Sequence, residues 1–365
     1  MPDSLLVDAH QDLAWNIITF NRDYTIAAAE TRLREQGTLA PQHNGDTLLG
    51  WPDYQRGRVA VVFSTLYVAP ARHSLGEWDM QCYSTPEEAH SLYSLQVDTY
   101  HRLVDDHPAQ FRLIEKLADL QSVLAHWQRT DTAEHPVGLV ILMEGAEGVR
   151  EPAELEDWYR RGVRIIGPAW AGTRFCGGTH EPGPLTPEGY ALLEHMAELN
   201  LTLDISHMDE KAALQALDFY SGPVIASHAN ALSMVKGSDS NRHLTDRLIH
   251  GVVERGGTIG VVPSNGFLRP GWKETGGRAS VTLDYVVAQL DYICQMAGNA
   301  LHAGLGSDFD GGFGLQSVPI EIDTIADLRK IIPLLAQKGY TEADIAAILG
   351  GNWLTCLQNN LPEVL

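Results

Sequence analysis

The sequence predicts an α/β protein, a single (β/α)8 barrel of the TIM type over residues 1–365, with extra helices at its C-terminal end. Three observations point there. Eight short runs rich in β-branched and aliphatic residues recur along the chain, most of them separated by helical patterns, and such alternation with right-handed crossovers builds a parallel sheet. The length of 365 residues lies near that of a (β/α)8 barrel. No linker, low-complexity segment or solenoid-type repeat divides the chain.

The elements follow in order. The first strand is the apolar run Leu5-Leu6-Val7, which gives way to Asp8-Ala9-His10-Gln11-Asp12. Residues 14–50 are polar and mixed, with a weak helical pattern at 26–34. Residues 58–67, dense in β-branched and aromatic side chains, form the second strand. A loop is expected at 70–82. Thr85-Pro86-Glu87-Glu88 then supplies an N-cap, a first-position proline and a capping-box glutamate for a helix reaching about Asp106. A second helix is expected over 113–128, a buried strand over 137–143, a helix over 153–161 and a fourth strand over 163–166. A Gly/Pro-rich loop (167–184) precedes a helix capped by Thr186. Strands at 201–205 and 223–226 flank a helix at 209–219; strands at 258–262 and 301–305 flank a helix at 283–296. Helices at 325–338 and 341–349 close the chain.

Composition narrows the function. The formal net charge of −21 argues against nucleic acid and anionic membrane surfaces as partners. Cys82, Cys176, Cys294 and Cys356 lie far apart without a Cys-x-x-Cys pair, which fits reduced thiols better than a disulfide framework or a zinc ribbon. Met1-Pro2-Asp3-Ser4 has no positively charged leader, and no apolar run approaches the ~18 residues of a membrane span. A cytoplasmic location is expected, and a homodimer is compatible with this composition.

The chemistry concentrates at strand ends. His10 and Asp12, two apart in an extended segment, reach a common point after strand one. Glu144 follows strand three, His207 strand five, His228 strand six and Asp308 strand eight. In a barrel all these ends open onto one face. A His-x-Asp pair, two further histidines and one glutamate make a natural two-metal set, because the two oxygens of a carboxylate bridge ions ~3.5–4 Å apart and such a pair lowers the pKa of a shared water. Each residue alone has a structural alternative: a hydrogen-bonded loop histidine, a helix-capping Glu144, a turn-bracing Asp308. All these alternatives holding together, each at a strand end, is a far weaker account. Asp308-Phe309-Asp310-Gly311 lacks the spacing and closing glutamate of a calcium loop, and neither Ser206 nor Ser227 sits in a nucleophile elbow. His73, His101, His126, His180 and His250 read as structural, while Trp170 and Phe175 read as pocket lining and Trp158 stays open between core and pocket.

With these residues in place the chain resembles the membrane (renal) dipeptidase family of zinc metallopeptidases, an amidohydrolase-like branch of the barrels. The likeness runs nearly end to end, through Val7-Asp8-Ala9-His10-Gln11-Asp12, Met143-Glu144-Gly145-Ala146, Asp204-Ile205-Ser206-His207, Ala226-Ser227-His228, Arg242 before Leu244-Thr245-Asp246, Gly306-Ser307-Asp308-Phe309-Asp310-Gly311 and Leu349-Gly350-Gly351-Asn352. The resemblance implies two Zn2+ per chain, one held by His10, Asp12 and Glu144, the other by Glu144, His207 and His228. It implies Asp308 as acid/base and Arg242 as receiver of the substrate's C-terminal carboxylate, a task suited to a bidentate guanidinium. Two departures stand out: Trp170 occupies the place of a histidine that steadies the oxyanion, and Phe267 that of a carboxylate-binding tyrosine.

The function expected is hydrolysis of the amide bond of a small dipeptide or acyl-amino acid with a free C-terminus: a metal-bridging hydroxide attacks and Asp308 relays the proton. The alternatives are a related amidohydrolase acting on acyl-amino acids, lactones or cyclic amides, and a metal-stabilised binding protein without turnover.

Overall fold

Strand pairing in the computed structural model, which describes residues 4–364, follows chain order around a ring. Residues 1–3 and 365, part of the expected domain, lie outside the described residues. The barrel strands are β1 (Leu6–Gln11), β2 (Val59–Tyr67), β3 (Val137–Glu144), β4 (Val163–Gly167), β5 (Thr202–Asp204), β6 (Val224–Ile225), β7 (Ile259–Val261) and β8 (Ala303–Leu305). All pair in parallel, and β1 lies between β2 and β8. The seam between β6 and β7 is closed by a bridge from Ala226 to Ile259, with the Ala226 N–H donating to the Thr258 carbonyl at 3.0 Å and the Gly260 N–H to the Ala226 carbonyl at 2.8 Å. All eight expected strands are therefore present in one sheet, each within a few residues of its anticipated position. The register sets Tyr67 of β2 opposite Glu144 of β3, and Glu144 opposite Gly167 of β4.

Strong local signals formed the expected helices. Thr85 accepts from the Glu88 N–H at 3.2 Å while the Glu88 carboxylate accepts from the Thr85 N–H at 3.3 Å, so the capping box starts a helix over Pro86–Asp106. Thr186 accepts from the Gly189 N–H at 3.0 Å and opens the helix Pro187–Glu198. No helix among the described residues is long and apolar enough to cross a membrane.

The structure departs from the sequence reading where signals were short or mixed. The stretch read as polar and mixed holds helices at Leu13–Phe20 and Ala40–His43, and another at Trp51–Gly57 fills the gap before β2. The helix expected from 113 begins at Leu117, because Phe111–Leu113 pairs with β3 instead. A helix over Asp246–Glu254 follows β6; only Leu248, Ile249 and Val252 of its nine residues are buried, a stripe too brief to stand out. The loop 167–184 folds into an antiparallel hairpin of Cys176–Gly178 with Glu181–Leu185, whose glycines and prolines hide any alternation. Within the loop 70–82 the ends are pinned, since Ala69–Pro70 pairs with Cys82–Tyr83.

The last helix also runs past its expected end at Leu349. A wide turn over Ala347–Gly351 continues into a helix over Asn352–Asn360. Gly350-Gly351 reads as a helix stop, yet Gly350 serves close approach: a Cβ there would lie 2.8 Å from the Leu5 carbonyl oxygen and 3.0 Å from the Val7 nitrogen. That contact lets Trp353 bury itself against the barrel, where it meets Phe63 edge-on at 5.3 Å and donates its indole N–H to the Leu305 carbonyl at 3.1 Å.

Candidate metal centre and active site

Strand geometry delivers the chemistry to one end of the barrel. His10 is the penultimate residue of β1 and Asp12 lies just beyond the strand; Glu144 ends β3, and His207 and His228 follow β5 and β6. Glu144 stands at the middle. Its Oε1 is 3.0 Å from His207 Nε2 and 3.2 Å from His228 Nε2, and its Oε2 is 3.7 Å from His10 Nε2. The ligand atoms of His10, Asp12 and Glu144 lie within 4.8 Å of one another, as do those of Glu144, His207 and His228. Those of His10, His228 and Asp308 form a third such group. All five sequence-predicted ligands are thus brought together, and all are buried.

The tautomers fit a metal. Ser227 donates its hydroxyl proton to Asp204 and so accepts from His228 Nδ1, 2.7 Å away. Thr179 Oγ1 stands 2.9 Å from His207 Nδ1. With Nδ1 carrying the proton, each ring turns the lone pair of Nε2 inward. Those two nitrogens face each other at 3.1 Å beside a carboxylate oxygen, an arrangement that a cation relieves. Neither nitrogen of His10, nor Asp12 Oδ1, has a hydrogen-bond partner although all are buried. Nitrogen and carboxylate donors in this mixture suit zinc and its neighbours among divalent ions.

The electrostatics show how crowded the cluster is. Burial drags the His207 imidazole down to about 4, with nearby Arg242 adding to the effect, and takes His228 the same way. Burial also opposes charge on His10, but Glu144, Asp12 and Asp308 outweigh it and hold the ring up at about 9. Burial would raise Glu144, yet His10 and His207 hold it well below the usual carboxylate range. Asp308 is pushed up to about 7, chiefly by burial, with His10 opposing and Glu144 reinforcing the shift.

Asp308 is placed by its own loop. Its backbone is left-handed (φ 57°), and its N–H donates to the His10 carbonyl at 3.1 Å. Gly311 leaves it room, since a Cβ at that position would come within 2.0 Å of Asp308 Oδ1. Asp310 two residues on is structural: it accepts from Arg22 at 3.0 Å, Tyr24 at 2.8 Å and Thr47 at 2.6 Å, which fastens the segment after β1 to the loop after β8.

Arg242, buried beside the cluster, donates through Nη2 to the His228 carbonyl at 2.8 Å, while Nε and Nη1 have no partner. The Phe267 ring lies under its guanidinium at 5.2 Å. Trp170 stands near His207, with ring centroids 6.1 Å apart, and meets Tyr67 at 5.3 Å and His73 at 5.6 Å. These residues line one cavity of about 360 Å3 together with Asp12, Glu144, His207 and Asp308.

Comparison with known proteins follows the same line. The family model described as membrane dipeptidase (peptidase family M19) matches residues 1–361. The chain belongs to the membrane dipeptidase family. As members of that family are, it is a metal-dependent dipeptidase by class. An uncharacterised protein encoded in the pqqA 5' region of Klebsiella pneumoniae is 31% identical over 287 residues, covering 76% of this chain and 98% of that one. Among solved structures, a metallopeptidase termed dipeptidase AC superposes with a TM-score of 0.78 at 24% identity, covering 98% of this chain and 99% of its own. A metallopeptidase from Rhodobacter sphaeroides, liganded with a phosphinate mimic of L-Ala-D-Ala, gives 0.76 at 22% identity and covers 98% and 99%. Both share the barrel fold.

Two sequence readings need correction. Phe175 is fully buried in the core, its ring 4.4 Å below the Arg174 guanidinium, and does not line the cavity. Next to the hairpin that begins at Cys176, the ring faces inward. His73 and His180, read as structural, do line the cavity. Loop positions of this kind carry no periodicity that would show which way they face. Tyr67 was also missed, although its place at a strand end, in register with Glu144, was the available signal.

The support behind His228 makes a direct prediction. Ser227→Ala removes the hydroxyl that passes Asp204's charge to the ring, and metal affinity is expected to fall ~10–100-fold with the fold intact. Competition with a chromophoric chelator measures it; an unchanged affinity would show that Ser227 has no part in orienting the ligand.

Proposed function

We propose that this chain hydrolyses the amide bond of dipeptides that carry a free C-terminal carboxylate, using two zinc ions held by the five clustered side chains. The observation that carries the reading is the position of Glu144, one carboxylate with three imidazoles around its two oxygens and an unpaired guanidinium alongside. His10, Asp12 and Glu144 would hold one ion, and Glu144, His207 and His228 the other. When bound, the pair supplies Lewis acidity that activates water and polarises the scissile carbonyl.

The remaining work falls to the chain. Arg242 receives the carboxylate with its guanidinium, of whose nitrogens only Nη2 is engaged, by the His228 carbonyl. Asp308 takes a proton from the attacking water and delivers it to the leaving nitrogen as the carbon–oxygen bond forms and the carbon–nitrogen bond breaks. A carboxyl held near neutrality by burial suits both halves of that transfer. Trp170 fills the β4 side of the site with an apolar face, so a donor for the oxyanion must come from elsewhere in the cluster.

Two experiments test this. Asp308→Asn should retain metal and fold while kcat falls ~10²–10⁴-fold on the best dipeptide; turnover at the parental rate would remove Asp308 from the proton path. For the carboxylate, the free and C-terminally amidated forms of one dipeptide are compared by kcat/KM. The parent should favour the free form ~10–100-fold, as expected for lost hydrogen bonds to a charged group, and Arg242→Ala should erase most of that preference. Equal rates for the two forms in the parent would contradict a carboxylate receptor.

A further inference from the structure

The cavity is not apolar on every side in the same way. Arg242 and Phe267 follow β6 and β7, on one side of the ring of strands. Across the mouth, over β1 and β2, the wall is aromatic. Trp15 comes from the helix directly after β1, His43 from the segment between β1 and β2, and Trp78 and Leu75 from the loop after β2. His43 and Trp78 stack at 4.1 Å with planes 15° apart, and Trp15 meets Trp78 edge-on at 6.2 Å. Phe20 also lies against Trp78, with ring centroids 5.8 Å apart and planes at 18°, so aromatic neighbours steady the indole.

Two features mark this wall as a binding surface. Trp78 has its one polar atom engaged, donating to the Leu75 carbonyl at 3.1 Å, which leaves only apolar ring surface to offer. Leu75 stays 70% exposed at the rim although it borders the cavity. The loop that carries both is anchored at its ends by the pairing of Ala69–Pro70 with Cys82–Tyr83, so the indole is presented from a fixed base. Neither the reaction nor the carboxylate receptor uses any of these side chains.

Resting on the dipeptidase reading, the geometry points to the wall of Trp15, His43, Leu75 and Trp78 as the subsite for the acyl residue's side chain, selecting dipeptides whose first residue is large and apolar, above all aromatic. With the C-terminal carboxylate on Arg242 and the scissile carbonyl at the Glu144 cluster, the acyl residue extends toward β1 and β2. A cavity of about 360 Å3 falls in the ~300–1,000 Å3 range of sites for drug-sized ligands, which leaves space beyond a pair of small residues. Trp170 narrows the β4 side, so bulk is admitted at the aromatic wall rather than beside the carbonyl.

The test uses metal-replete full-length enzyme and two phosphinate dipeptide mimics that differ only in the acyl-side group, methyl or benzyl, with binding measured by calorimetry. The benzyl mimic should bind the parent ~10–100-fold more tightly, the effect of burying one aromatic ring. Trp78→Ala, a change in an exposed loop, should cut that ratio to below ~3-fold, and His43→Ala should lower it in part. Ratios of kcat/KM for phenylalanyl-alanine over alanyl-alanine should move with the binding ratios. If the two mimics bind the parent equally while dipeptides turn over, the subsite is overturned and the dipeptidase reading stands. A ratio that survives Trp78→Ala also overturns it. If neither mimic binds and no dipeptide turns over, both readings fall.

Discussion

Everything at this barrel's mouth depends on burying Glu144. A carboxylate removed from water is costly unless countercharge and hydrogen-bond donors surround it. Here three imidazoles surround it, but two of them turn unprotonated nitrogens toward the same oxygen. Protein groups alone leave that cluster with lone pairs facing lone pairs, whereas divalent cations turn the same geometry into a stable one. The surroundings are built to hold it. The Tyr93 hydroxyl lies 2.7 Å from the carbonyl oxygens of Glu144 and Gly145, Thr179 stands behind His207, and Asp204 acts through Ser227 on His228. Asp8 accepts from the Ser307 N–H at 2.6 Å and its hydroxyl at 2.5 Å, which ties β1 to the loop that carries Asp308.

The barrel divides the labour around its rim. On the proposed reading, ligands come from the ends of β1, β3, β5 and β6, the proton carrier from the loop after β8, and the carboxylate receptor from the segment after β6. The aromatics that line the cavity come largely from the loops after β1, β2 and β4. On that reading, strand ends set the donors and longer loops set what is admitted. This separation lets Trp170 fill the β4 side of the mouth without displacing any of the five clustered side chains.

Much of this was legible in the chain. Eight apolar runs with ligand-type residues at their ends pointed to both the barrel and the clustering of five side chains, because strand periodicity and the shared mouth constrain where His10, Asp12, Glu144, His207 and His228 can point. Helices with a capping signal, such as the one started by Thr85, were equally readable. What escaped depended on contacts distant in sequence. Phe175 turns into the core because a glycine-rich hairpin pairs behind it, and His73 and Trp78 reach the cavity because two short strands pin their loop. Gly350 does not stop its helix, since β1 lies too close for any larger residue. None of these leaves a local pattern.

The central claim is that Glu144 is shared between two ions. The most direct measurement is the metal content of chelator-free protein by plasma mass spectrometry, for the parent and for Glu144→Ala. The account predicts about two zinc equivalents per parent chain, as for a carboxylate-bridged pair, and loss of most of both in a folded variant. A parent that binds no metal when zinc is supplied, or a variant that keeps two equivalents, would contradict it.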